Sequence, residues 1–147
     1  MTIYPVFLPH AACPGRCIYC DQTRLSGVQA NDAWAPFVAK LDQMLPEQGQ
    51  GEIAFYGGSF TLMPAAVQRR LLEDAARFVD QGRCGGIRLS THPLGLETEH
   101  LDLLAQFPVS TVEVGCQSFD DQVLRSAGRG YSSLKLRAGL HRLLDRP

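Results

Sequence analysis

The sequence predicts an α/β fold with a parallel sheet, because short apolar runs alternate with segments of helical periodicity along the chain. Four runs have the length and composition of buried strands, at residues 3–8, 52–56, 87–91 and 111–116. A helical segment follows each run, so the connections are crossovers that place successive strands parallel in one sheet. About four strand–helix units are therefore present.

The first unit is marked by residues that end a strand and begin a helix. Residues 3–8 form a short apolar run that Pro9 ends, as expected for a buried strand. Asn31 or Asp32 can cap a helix over residues 33–45, whose apolar side chains recur on one face.

The second unit begins with a strand at residues 52–56, which the pair Gly57-Gly58 closes. Pro64 is suited to the start of a long helix. Gly82 lies where a glycine often ends one, so the helix is expected to stop there.

The third unit pairs a strand at residues 87–91 with a helix at 97–107, which Pro108 ends. The fourth begins with the strand at 111–116. In closed or partly closed parallel sheets, functional groups collect at the carboxyl ends of the strands. We therefore expect the unusual residues after the four strands to meet at one rim.

Two helices complete the predicted fold. The first is short, near residues 120–126, with Ser118 as its predicted cap. The second covers residues 134–144 and begins after Ser132 or Ser133.

Length and composition limit the possible classes of protein. A chain of 147 residues with 45% hydrophobic content can build one core, which predicts a single domain over residues 1–147. The formal net charge of −1 and the scattered Lys and Arg residues give no basic footprint for nucleic acid. Residues 1–12 carry neither a signal peptide nor a membrane-spanning segment, so a cytoplasmic protein is expected.

Cys13, Cys17 and Cys20 form a Cys-x3-Cys-x2-Cys triplet in the loop after the first strand. Three thiolates from one loop suit a 4Fe-4S cluster that keeps one iron open. A metal with an unfilled coordination position is typical of a catalytic site. The alternative is a zinc site with His10 as fourth ligand, although structural zinc sites usually draw ligands from two separate pairs.

The triplet resembles the signature of the radical S-adenosylmethionine (radical SAM) enzymes, with Tyr19 as the aromatic residue before the third cysteine. Further resemblances lie downstream in the same order as in that family. They are Gly57-Gly58-Ser59-Phe60, Leu89-Ser90-Thr91-His92-Pro93, Val112-Glu113-Val114-Gly115-Cys116-Gln117-Ser118-Phe119 and Gly128-Arg129-Gly130. These motifs most resemble those of the elongator catalytic subunit branch. Their second resemblance is to oxygen-independent coproporphyrinogen oxidase.

The resemblance implies a partial TIM barrel of six strand–helix units, of which about four are present here. The chain is therefore expected to be a radical SAM core truncated on its C-terminal side. The strand at residues 111–116 would then be an open sheet edge. A missing C-terminal segment or a partner chain is expected to cover it.

The resemblance also implies the cofactors and the reaction. A 4Fe-4S cluster on the three cysteines would bind S-adenosyl-L-methionine and cleave it reductively to a 5′-deoxyadenosyl radical. An electron donor such as a flavodoxin or ferredoxin is implied as a partner. The substrate stays unassigned: the elongator branch implies a tRNA uridine, whereas the oxidase branch implies a porphyrin precursor.

Five residues are implied as contacts of the S-adenosylmethionine, and they lie near or after the carboxyl ends of the four predicted strands. The backbone of Gly57 and Gly58 would receive the methionyl ammonium, and Tyr19 would pack near the adenine. Gln117 would contact the ribose hydroxyls and the carboxylate, and Ser90 is the third-strand candidate. Arg16 would tune the cluster by its charge.

Other polar residues of the strands have structural interpretations. Glu113 is predicted to bond inside the barrel, for example to Arg88 on the neighbouring strand. His92 is interpreted as a hydrogen-bonded structural residue, with a substrate-facing role as the alternative. Cys84 and Cys116 are predicted to be unligated thiols. Three functions stay open: a radical SAM enzyme or its N-terminal part, a zinc-stabilised binding module, and a cluster-bearing remnant without turnover.

Overall fold

A computed structural model describes residues 2–8, 11–15, 17–21 and 35–146, with the side chains of residues 35–37 left out. Several predicted features lie outside the described residues. They are the strand stop at Pro9, the zinc ligand His10, the cluster-tuning Arg16 and the helix caps Asn31 and Asp32.

The described part of the chain alternates strands with helices, as predicted. The elements are β1 (Ile3–Phe7), α1 (Ala35–Met44), β2 (Glu52–Tyr56), α2 (Ala65–Asp80), β3 (Gly86–Thr91), α3 (Thr98–Leu104), β4 (Val109–Val114), α4 (Asp121–Ser126) and α5 (Ser133–Leu144). Short 3-10 turns at Phe60–Leu62 and Pro93–Gly95 precede α2 and α3.

The four strands form one parallel sheet in the order β1-β2-β3-β4. This order confirms the predicted α/β class with parallel strand–helix repeats, and it is consistent with part of a TIM barrel. As predicted, β4 lies at an edge of the sheet that the described residues form.

One face of the sheet carries the hydrophobic core. Strand residues Ile53, Phe55, Ile87 and Leu89 are at most 1% exposed, and they pack with the apolar faces of the helices. The helices contribute Leu41, Leu71, Leu72, Phe78, Leu101 and Leu104. Because side chains alternate across a strand, the residues between the buried ones point to the opposite face.

The fourth strand begins and ends two residues earlier than predicted. The register shifts between Ile87, which pairs with Val109, and Arg88, which pairs with Thr111. This irregularity adds a residue to β4, and the strand is already paired from Val109. Cys116, which the prediction placed in the strand, therefore lies beyond it, as does Gln117.

Most helix ends agree with the predictions within two residues, but α3 ends at Leu104, three residues before the predicted end at 107, and one predicted cap is wrong. Gly82 ends α2 in a left-handed conformation (φ +71°), and Ser132 caps α5 by accepting from the Lys135 amide. The predicted cap Ser118 is not the cap of α4. The Asp120 carboxylate accepts from the two amides of the first turn instead, because it lies one residue before the helix.

No helix in the described ranges is both long and apolar enough to cross a membrane.

Candidate cofactor site at the carboxyl ends of the strands

The loops that follow the four strands enclose a pocket of about 340 Å³. Eight of the residues that the sequence suggests for the cofactor site line this pocket. They are Cys13, Cys17, Cys20, Tyr19, Gly57, Gly58, Ser90 and Gln117. Their convergence follows from the parallel sheet, which brings the carboxyl ends of its strands to one rim.

The loop with the three cysteines packs closely against the loop after β2. The Ser59 amide donates to the Ala11 carbonyl at 2.8 Å. A Cβ atom on Gly58 would lie 2.6 Å from that same carbonyl oxygen and 2.7 Å from the Leu8 carbonyl oxygen. Gly58 is therefore required for the approach of these two loops. The Ser59 hydroxyl also donates to Cys13 Sγ at 3.5 Å.

Arg129 holds the cysteine loop from the other side. Its Nη1 donates to Cys17 Sγ at 2.9 Å, and its Nη2 donates to the Gly115 carbonyl just beyond β4. Its Nε donates to the Tyr131 hydroxyl at 3.2 Å. The side chain thus connects the cysteine loop to the carboxyl end of β4, although the residue is only 8% exposed.

The Arg129 guanidinium keeps its charge in this setting. Burial opposes the charge, but the hydrogen bonds to Tyr131 and Cys17 outweigh it, so the pKa of Arg129 is raised. A buried cation therefore lies on the wall of the pocket.

His92 lies at the end of β3, where it is 7% exposed. Its Nδ1 accepts from the Leu94 amide, and its ring meets the Tyr131 ring edge-on at 5.0 Å between centroids. Burial and the nearby Arg129 charge lower the pKa of His92 to about 4. A neutral, hydrogen-bonded imidazole is the structural role that the sequence suggests for it.

A network of charged residues crosses the strands on the face opposite the core. Arg88 donates from Nη1 to Glu113 Oε1 at 2.6 Å, as predicted, and from Nε to Glu52 Oε2 at 2.7 Å. Glu52 is buried, and its other oxygen accepts from Ser110 and Thr111. The Ser110 hydrogen bond is the largest cause of the lowered pKa of Glu52, with burial opposing it.

Cys84 and Cys116 are not among the residues that line the pocket. Cys84 is 3% exposed within the core, and Cys116 packs half-buried beside a smaller apolar cluster around Leu124, Tyr131 and Leu136. Burial raises the pKa of both thiols. Such an environment favours the neutral thiol over the thiolate that a metal requires.

Ser59, Arg129 and Glu52 are site or network residues that the sequence analysis leaves without a role. The signal for Arg129 was its position between two glycines, both of which adopt positive φ (+69° and +70°). A tight turn of this kind can present one side chain toward a site. Its partner Cys17 lies 112 residues away in sequence, so the contact itself has no local signal.

The chemistry of the donor set fits an iron–sulfur cluster, because cysteine thiolates are the usual ligands of a 4Fe-4S cluster and each binds a different iron. Among the described residues, no three His, Cys, Asp or Glu side chains gather closely enough to hold a single metal ion. The three thiols are half-buried, and O–H and N–H donors point at the sulfurs of Cys13 and Cys17.

Comparison with known proteins agrees with this interpretation. Residues 7–146 match the Radical SAM superfamily, so the chain belongs to that superfamily, as the sequence predicts. Heme chaperone HemW from Lactococcus lactis subsp. lactis (strain IL1403) is 25% identical over 132 residues, which cover 89% of this chain and 35% of HemW.

A solved structure of archaeal Methanocaldococcus infernus Elp3 with an N-terminal deletion has the same fold. It superposes with a TM-score of 0.62 at 18% identity, over 93% of this chain and 34% of that one. This likeness shows the fold, and it agrees with the predicted parallel strand–helix core. The chain spans about one third of the length of both relatives.

Proposed function

We propose that the protein is a radical SAM iron–sulfur enzyme, or the N-terminal part of one. Cys13, Cys17 and Cys20 would hold a 4Fe-4S cluster. When bound, the cluster supplies an electron that cleaves S-adenosylmethionine reductively to methionine and a 5′-deoxyadenosyl radical. The proposal depends on one observation above all: three half-buried thiols and a buried cation line a single pocket at the strand ends.

The residues around the thiols would stabilise the bound cluster electrostatically. Ser59 and Arg129 donate hydrogen bonds to cysteine sulfurs, and such bonds stabilise negative charge on thiolates and cluster. The close approach that Gly58 permits keeps the cysteine loop at the strand ends. The chain therefore supplies both a fixed loop and a positive charge.

S-adenosylmethionine would occupy the remaining part of the pocket. The backbone at Gly57 and Gly58 would receive its ammonium group, and Tyr19 would lie against its adenine. Ser90 and Gln117 would offer hydrogen bonds to the ribose. Gln117 would also contact the carboxylate, and Arg129, a cation on the wall that the described residues form, is a second partner that we assign to it.

The proposal also includes the electron donor, the cellular location, the segment that covers the sheet edge and the substrate. A flavodoxin or ferredoxin in the cytoplasm would supply the electron. Further strands, from a C-terminal segment or from a partner chain, would pair with the edge of β4. A tRNA uridine is the substrate that the relation to the elongator branch suggests. HemW is named as a heme chaperone, so heme binding is a second candidate, supported by the 25% identity.

The test is anaerobic reconstitution with iron and sulfide, followed by reduction with S-adenosylmethionine and chromatographic detection of 5′-deoxyadenosine. Product formation supports the proposal. A cluster without product indicates a remnant without turnover, and stoichiometric zinc without iron uptake indicates a zinc-stabilised module. Addition of heme to the same preparation, followed by absorbance spectroscopy, tests the second candidate.

A further inference from the structure

Two buried threonine hydroxyls meet beside the cofactor pocket. Thr61 Oγ1 and Thr91 Oγ1 are 2.6 Å apart, and either hydroxyl can be the donor. Thr61 is fully buried and Thr91 is 4% exposed. The Thr61 amide also donates to Thr91 Oγ1 at 3.4 Å. A buried hydroxyl that loses its partner is costly, so each of these two groups holds the other in place.

Thr61 belongs to the loop after β2, which also carries the glycine pair and Ser59. Gln68 on α2 holds this loop from the helix side, because its Nε2 donates to the carbonyls of Thr61 at 2.9 Å and of Met63 at 2.6 Å. Thr91 holds the same loop from the strand side. The loop is thus fixed between α2 and the end of β3.

Thr91 is also linked to the segment after β4, through its backbone. Its carbonyl accepts from the Gly115 amide at 3.0 Å. The Gly115 carbonyl in turn accepts from Arg129, which donates to Cys17 Sγ. One residue at the end of β3 therefore connects the loop after β2 with the segment after β4 and, beyond it, with the cysteine loop.

The hydroxyl pair ties together parts of the chain that the sheet does not. The parallel pairing of β2 with β3 ends at Phe55 and Leu89, so the loop beyond it depends on contacts of another kind. The turn after β3 closes over the pair. A Cβ atom on Gly95 would overlap Thr61 Oγ1 and lie 3.1 Å from Thr91 Oγ1, which leaves little room for either hydroxyl to move.

We propose that Thr91 is a positioning residue for S-adenosylmethionine. Through Thr61 its hydroxyl fixes the loop whose glycine pair would receive the ammonium group. Through Gly115 its carbonyl fixes the segment that leads to Gln117, which would contact the ribose and the carboxylate. Thr91 thereby sets the spacing between two sets of cofactor contacts. The role toward the cofactor rests on the proposed radical SAM function, whereas the coupling of the two loops does not.

The first measurement is amide hydrogen exchange in the full 147-residue chain without cluster. Thr91→Val keeps the shape of the side chain but leaves the Thr61 hydroxyl without its partner. We expect the loop amides of Ser59 and Leu62 to exchange roughly tenfold faster, as the loss of one buried hydrogen bond implies. Thr91→Ser keeps the hydroxyl and should restore most of the protection.

Thr111→Val is the matched control. The Thr111 hydroxyl donates to Glu52 at 3.1 Å, and Thr111 is not among the described residues that line the pocket. This variant also loses a side-chain hydrogen bond on the sheet, so it reproduces a purely structural loss. The Ser59 and Leu62 amides should keep their wild-type exchange relative to a core amide such as that of Leu72.

The second measurement is equilibrium binding of S-adenosylmethionine to the anaerobically reconstituted, unreduced protein. We expect Thr91→Val to raise the dissociation constant roughly tenfold at unchanged iron content, because a loosened loop must be ordered again on binding. Thr91→Ser and Thr111→Val should bind as the wild type does.

Wild-type loop exchange in Thr91→Val, or equally faster loop exchange in Thr111→Val, overturns the coupling. Faster loop exchange with an unchanged dissociation constant in Thr91→Val shows a structural role alone and overturns the positioning role. These outcomes are distinct from a failure of the proposed function. If the wild type forms 5′-deoxyadenosine but Thr91→Val changes neither measurement, the radical SAM function stands and the inference is wrong. If no cluster assembles in the wild type, the role toward the cofactor falls with the proposed function, and the exchange data alone decide the coupling of the loops.

Discussion

The Arg129 guanidinium donates a hydrogen bond from Nη1 to Cys17 Sγ at 2.9 Å, across 112 residues of sequence. The same side chain holds the Gly115 carbonyl beyond β4 and the Tyr131 hydroxyl. The position of the cysteine loop is thus coupled to the end of the last strand. A buried cation beside the sulfur of a proposed cluster ligand would also stabilise any added negative charge there.

The first prediction is that Arg129→Met lowers the reduction potential of the reconstituted cluster. A reduced cluster carries one more negative charge, so the loss of a nearby cation destabilises it. A hydrogen bond to a charged group contributes ~1.5–3 kcal/mol, which corresponds to roughly 65–130 mV for one electron. An EPR-monitored redox titration measures the shift. Arg129→Lys, which keeps the charge, should recover part of it, and an unchanged potential in both variants would contradict the assigned role.

The second prediction concerns which thiols bind iron. Cys17→Ala should abolish cluster formation, because a ligand is lost and the Arg129 donor loses its acceptor. Cys84→Ala should leave the cluster intact, since Cys84 is 3% exposed in the core. Iron and sulfide analysis after anaerobic reconstitution measures the effect. Equal iron content in the two variants would show that the assignment of ligands is wrong.

Features with a local cause were predictable from the sequence. Strand β2 has the bounds Glu52–Tyr56 in both the prediction and the structure, because a buried run and a glycine pair delimit it. The convergence of the site residues at one rim was also predictable, since parallel strands bring their carboxyl ends together. The bounds of β4 were not predictable, because they depend on an irregular pairing with β3 around Ile87.

Contacts between distant segments account for what the sequence did not reveal. Ser59 and Arg129 reach sulfur atoms that lie 46 and 112 residues away. Glu52 reads as the polar first residue of a strand, yet it is 6% exposed because it binds Arg88, Ser110 and Thr111. Contacts between residues so far apart in sequence cannot be predicted from composition or periodicity.

The third prediction separates a steric role of glycine from a conformational one. In Gly58→Ala the new Cβ would lie 2.6 and 2.7 Å from two backbone carbonyl oxygens of the cysteine loop, so the loop must move. We expect a loss of at least ~2 kcal/mol in the free energy of unfolding, together with impaired cluster assembly. Urea denaturation and iron analysis measure the two effects.

Gly82→Ala is the matched control for this variant. Gly82 has a positive φ of +71°, but a Cβ added there would have no atom within 4 Å, so only backbone strain of ~1 kcal/mol is expected. Cluster assembly should be normal, because Gly82 ends α2 far from the cysteine loop in the fold. If both alanine variants assembled the cluster normally, the close approach at Gly58 would not be needed for the site.

The fourth prediction is a pH dependence of stability that His92 causes. Its pKa is about 4 in the folded protein and about 6.5 in an unfolded chain, so the unfolded state binds more protons between these values. Stability therefore falls as the pH falls below 6.5. From these two values the loss by pH 5 is about 2 kcal/mol. Chemical denaturation between pH 5 and 7, where most carboxylates stay ionised, measures it.

Comparison of two histidine variants assigns this slope. His92→Gln can still accept from the Leu94 amide but does not titrate, so its stability should change less between pH 5 and 7 than that of the wild type. His141→Gln, at an exposed position on α5, should keep the wild-type slope. Parallel slopes for the wild type and His92→Gln would mean that the buried imidazole is not the titrating group. The steeper wild-type slope would instead show that the junction of β3 with the Arg129 turn requires a neutral His92.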